Sequence, residues 1–148
     1  MSLLALRVLE HVHGHLGWLT VIALVHPAIL LRRPARRAPL AALLATLLVT
    51  LTASLGAATY PSYRTLLKQA LFKETPTIGW MFERKEHLAI GVLAFAWVGL
   101  VAHLWAPRLE GEARVRLATL AWRAYAIAAT FAALVAGIGT LVAVTTSF

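Results

Sequence analysis

Four long apolar stretches, at residues 12–31, 39–59, 87–106 and 117–144, are separated by short segments that hold most of the charge. A hydrocarbon core about 30 Å thick takes roughly 20 helical residues to cross, so each stretch is read as a membrane span. The first stops at Arg32, Arg33, Pro34, Arg36 and Arg37; the second, built mainly from Leu, Ala, Thr and Val, ends at Tyr60-Pro61. Short connections make spans one and two, and spans three and four, antiparallel neighbours. The pattern predicts an all-α, integral membrane, up-and-down four-helix bundle occupying residues 1–148 as one domain. Between spans two and three, residues 62–73 mix cations with Leu and Phe at helical spacing before Pro76 and Gly79. This segment is predicted as a short amphipathic helix lying at the membrane surface.

Composition agrees with a lipid solvent: 60% of residues are hydrophobic, 14% are charged, and mean hydropathy is +0.76. The net charge of +8 would suit nucleic acid, but the cations lie between apolar runs rather than in a stripe with interleaved aromatics, so no nucleic-acid partner is expected. Arg32 to Arg37, with Arg108, Arg114 and Arg116, mark the cytoplasmic side by the positive-inside bias, which puts both termini outside a bacterial-type inner membrane. The middle connection opposes this with Arg64, Lys68, Lys73, Arg84 and Lys85, offset by Glu74, Glu83 and Glu86. The N-terminus lacks the basic start and cleavage site of a removable signal peptide. Cysteine and aspartate are absent, which excludes disulfides and iron–sulfur ligation, and there is no phosphate loop, HExxH or Gly-x-Ser-x-Gly elbow. Small residues such as Ala45, Ala53, Gly56, Ala129, Ala133 and Gly137 let helices approach closely and are read as packing.

The histidines carry the candidate chemistry, because all six lie in or beside spans one and three. His11, His15, Trp18, Ile22 and His26 follow steps of four, three, four and four, a single helical stripe. Polar groups at membrane depth are costly and usually face a partner or cavity. Spans one and three run in the same direction, so His11 and His15 share a level with His87 near the outer surface, and His26 shares one with His103 near the inner surface. At 1.5 Å per residue, each span separates its two levels by about 22–24 Å. His13 lies on the other side of the helix and is expected to be dispensable.

This layout resembles the bacterial membrane-bound b-type cytochromes, in which a four-helix bundle holds haem between histidines on facing helices. The resemblance rests on His11 or His15, His26, His87 and His103, and it implies a transmembrane electron carrier with one or two b-type haems, exchanging electrons with quinone or a redox partner. Arg64, Arg84 and Lys85 would then pair with haem propionates, with Tyr60 and Tyr63 at the same level. His87 and His103 are sixteen residues apart and point to nearly opposite faces of a regular helix, so two haems in one cleft would need a distorted third span. Two other readings remain open. His11, His15, Glu83, Glu86 and His87 could hold zinc, iron or copper, a carboxylate and imidazole set drawn from two helices. Alternatively, the chain is a cofactor-free accessory subunit packing its apolar faces against a larger membrane complex.

Overall fold

The computed structural model describes residues 3–33, 37–66 and 68–145, with side chains from residue 8 onward; Pro34 and Arg36 of the expected first boundary lie outside the described residues. Among these residues five α-helices follow one another: α1 (Leu3–Leu30), α2 (Pro39–Leu66), α3 (Lys68–Glu74), α4 (Pro76–Trp105) and α5 (Gly111–Thr145), with a 3-10 turn at Ala106–Arg108. α1, α2, α4 and α5 are each long and apolar enough to cross a bilayer. They form an up-and-down ring in which α1 adjoins α2 and α5, α4 adjoins α2 and α5, and α1 and α4 occupy opposite corners. The all-α membrane bundle expected from the spans is therefore the fold.

Its packing is inverted relative to a water-soluble bundle. Ile22, Ile29, Leu40, Leu44, Ile90, Val101 and Val144 face outward, whereas the buried centre is built largely from alanines of α2, α4 and α5 around Leu24 and Tyr125. Lipid tails are as apolar as leucine, so large side chains gain little by turning inward, and close backbone approach becomes the source of contact. The tightest approaches are on α4. A Cβ at Gly99 would lie 2.9 Å from the Tyr125 ring and 3.3 Å from the Ala121 carbonyl oxygen, and one at Gly91 would lie 2.9 Å from the Phe131 ring. Gly91 and Gly99 stand about two turns apart on one face, and two aromatic rings of α5 seat against them. Phe95 then closes edge-on against Phe131, with ring centroids 5.9 Å apart.

One polar knot crosses the bundle at its centre. The Tyr125 hydroxyl donates to the Ala42 carbonyl at 3.0 Å and lies 2.9 Å from the Thr46 hydroxyl, whose oxygen is also 3.3 Å from the Ala96 carbonyl. Thr46 also reaches back to the Ala42 carbonyl at 2.9 Å. Nearer the other end, the hydroxyls of Thr20 and Thr52 meet at 3.0 Å. Each hydroxyl thus finds a partner that lipid could not supply.

The helix ends differ from the apolar pattern. α2 does not stop at Tyr60-Pro61 but continues through Pro61 to Leu66, and α4 starts at Pro76 instead of near residue 87. Proline suits the first position of a helix because its missing N–H would be unpaired there anyway, so Pro76 initiates α4. The expected surface helix is consequently divided between the last turn of α2 and the short α3. Within α3, Leu71 is buried, and the Phe72 ring packs on Gly79 and edge-on against Trp80, with centroids 5.5 Å apart. Lys68 at its start pairs with Glu83 of α4 at 2.6 Å. The hydrogen bond Lys68 donates to Glu83 raises its ammonium above the ordinary lysine value.

Candidate functional site

The bundle separates the histidines that the sequence grouped. The α1 stripe turns outward: His11, His15, Trp18, Ile22 and His26 are all exposed. His13, expected to be dispensable at the membrane edge, turns inward instead, its ring against Gly56 of α2 and within electrostatic reach of Lys85. Among the described residues its buried Nδ1 has no hydrogen-bond partner, nor has the hydroxyl of Tyr63, whose ring stacks on Phe82 at 3.9 Å.

A haem shared between α1 and α4 of one chain does not fit this arrangement. The two helices stand at opposite corners, His11, His15, His26 and His87 all face outward, and Leu24, Tyr125 and alanines fill the space between. The inner level fails for a second reason. His103 is buried, and its Nε2 accepts the Ala38 N–H at 3.3 Å, which commits the imidazole to holding the start of α2. The opposed faces of His87 and His103 thus persist without a distorted helix. The mixed metal set is not assembled either: among the described residues, no group of three or more histidines and carboxylates is placed to hold an ion.

His87 is different. Its Nδ1 lies 2.8 Å from the Glu83 carbonyl oxygen one turn earlier, while the ring remains exposed. Donation from Nδ1 to that carbonyl leaves Nε2 as the free acceptor, the orienting contact that metal-bound imidazoles use. One turn nearer the helix start, Thr77, Trp80, Met81 and Arg84 line an open cleft of about 380 Å³. Trp80 and His87 are seven residues apart, about 20° around the helix, so the imidazole continues the face that the cleft begins. Arg84 is exposed there, and among the described residues it forms no ion pair. Of the other expected propionate partners, Arg64 is exposed on α2, while Lys85 points its ammonium over the Phe82 ring at 4.2 Å and toward Gly139. An ammonium over a ring face is a means of keeping charge in apolar surroundings, so Lys85 belongs to the interior.

Sequence reasoning found His87 and Arg84 but missed Thr77, Trp80 and Met81, because it began the third span at residue 87, whereas α4 starts at Pro76. Trp80 seven residues before His87 was the signal available. No family model, curated protein or solved structure matches the chain.

Proposed function

We propose that this bundle is a membrane redox subunit that binds a b-type haem on the outward face of α4, where His87 would hold it through Nε2. The observation that carries the reading is the His87 contact to the Glu83 carbonyl, which fixes the ring with its second nitrogen free. Haem bound there would supply one-electron chemistry, exchanged with quinone or a redox partner protein. Arg84 would neutralise a propionate at the headgroup level, where a charge-assisted hydrogen bond is strong, and Trp80 would cover the edge of the site. The open side of the cleft leaves room for a group from another subunit to complete the site, and the α1 stripe carries His11 and His15 on an exposed face toward the same end of the bundle. This reading retains the electron carrier implied by the histidine layout and moves its site from the bundle centre to its surface.

The test is direct. Purified protein should show a Soret band that shifts on dithionite reduction and should contain iron with little zinc or copper. A colourless protein with near-stoichiometric zinc or copper would identify a metal-binding protein, and one with neither would identify an accessory subunit.

The same proposal places the chain in a bacterial-type inner membrane with the His87 end outward, supported by the arginines gathered at the His103 end. Arg32 and Arg123 flank the Trp122 ring, each 5.6 Å from its centroid, and Arg108 lies 5.1 Å from that of Trp105, a belt of aromatics and cations suited to one interface. Reporter fusions after Ala35 and after Thr75 should read cytoplasmic and external, respectively. An external signal at Ala35 would invert the topology.

A further inference from the structure

The end of the bundle opposite His87 holds a second, smaller cleft of about 20 Å³, lined by Arg37, His103 and Arg114 above an apolar floor that includes Leu31 and Ala118. That volume admits one water, or one oxygen of a larger group whose bulk stays outside. The two arginines line it from separate elements, Arg37 from the connection before α2 and Arg114 from the first turn of α5. Four other arginines at this end have contacts of their own: Arg32 and Arg123 on Trp122, Arg108 on the Leu104 carbonyl at 2.7 Å, and Arg116 on Glu112 at 2.6 Å. Arg37 and Arg114 form no ion pair among the described residues, and the nearby Glu112 carboxylate is taken by Arg116. His103, which also lines the cleft, is held by the Ala38 N–H.

We propose that Arg37, Arg114 and His103 form a phosphate-binding site that takes the headgroup of an anionic phospholipid, with its acyl chains on the adjoining apolar helix faces. Guanidinium forks match phosphate oxygens, and two arginines lining one small cleft favour a net anionic headgroup over a zwitterionic one, whose ammonium opposes them. Position adds to chemistry. The cleft lies at the end of α4, beside Trp105 and the arginine belt, where headgroups of the leaflet would lie. The Leu31 and Ala118 floor then meets the glycerol backbone rather than water. This site is independent of the haem reading, since it uses neither His87 nor Arg84.

Native mass spectrometry of the full chain, titrated with phosphatidylglycerol and separately with phosphatidylcholine, tests it. Phosphatidylglycerol should bind at least about tenfold more tightly, and the double variant Arg37→Gln with Arg114→Gln should weaken it by about thirtyfold. Arg116→Gln, which removes a charge outside the cleft, should leave the preference unchanged. Ala118→Leu fills the floor without altering charge and should also weaken binding, which keeps the test available if the double variant fails to fold. Equal binding of the two lipids by the unaltered chain, or an equal loss in Arg116→Gln, would overturn the site. Displacement of phosphatidylglycerol by inorganic phosphate at the same concentration would overturn the lipid assignment and give the cleft to a free phosphate.

Discussion

His87→Ala is expected to leave the purified protein without haem, while His103→Ala and His13→Ala keep the Soret band at its original intensity. The difference follows from what each imidazole already does. His87 has one nitrogen tied to its own helix and the other free at the surface, whereas His103 uses Nε2 to hold Ala38. His103→Ala should therefore lower stability, by roughly 1–3 kcal/mol for a part-buried N–H left unpaired, without touching the spectrum. Arg84→Gln should retain haem but loosen it, because a propionate loses its counter-charge while the iron keeps its ligand. Reduced-minus-oxidised spectra with iron determination read all four variants. Loss of half the haem in His103→Ala would mean a second site at that end and would defeat the single-site reading.

Tyr125→Ala should produce the largest loss of stability in the chain, about 3–5 kcal/mol, the range for emptying a fully buried aromatic site. The ring is completely buried, fills the notch at Gly99, and carries the hydroxyl that ties α5 to Ala42 and Thr46 of α2. Tyr125→Phe separates the two contributions. It keeps the ring and should cost only about 1 kcal/mol, the usual value of a hydrogen bond between membrane helices. Reversible unfolding in mixed detergent micelles measures both. A Phe variant as unstable as the Ala variant would show that the hydroxyl network, and not the packed ring, holds the diagonal of the bundle.

Hydropathy made the architecture legible, because a span must be long and apolar whatever its neighbours are. Two features at its margins were not legible. Pro61 reads as a stop, yet α2 passes through it, and Pro76 reads as a terminator although it begins α4. The physical role of proline depends on which side of it the helix lies, and the sequence does not state that. For the histidines, periodicity correctly placed His11, His15 and His26 on one stripe and separated the face of His87 from that of His103. It did not say which side of α1 the stripe took. In a soluble bundle the answer would follow from the polar face turning to water, but a span in lipid has no water along its length to turn toward. The rotation of α1 is instead settled by small contacts: the His13 ring in the space left by Gly56, and the Thr20 hydroxyl against Thr52. Gly91 and Gly99 were overlooked for a similar reason, since a glycine in a span signals close approach only once the ring opposite it is known.

The central hydroxyl knot has a consequence for how the chain assembles. α1 and α2 form a hairpin that emerges from synthesis before α4 and α5, and within it Thr46 already satisfies its hydroxyl on the Ala42 carbonyl of its own helix. The first hairpin can therefore rest in lipid without an unpaired group at that position. Tyr125 has no such refuge, since the partners of its phenol, Ala42 and Thr46, both belong to α2. Until the second hairpin docks, that phenol is stranded in hydrocarbon, so its burial gives the late-arriving pair a reason to find the early one in a single rotational setting.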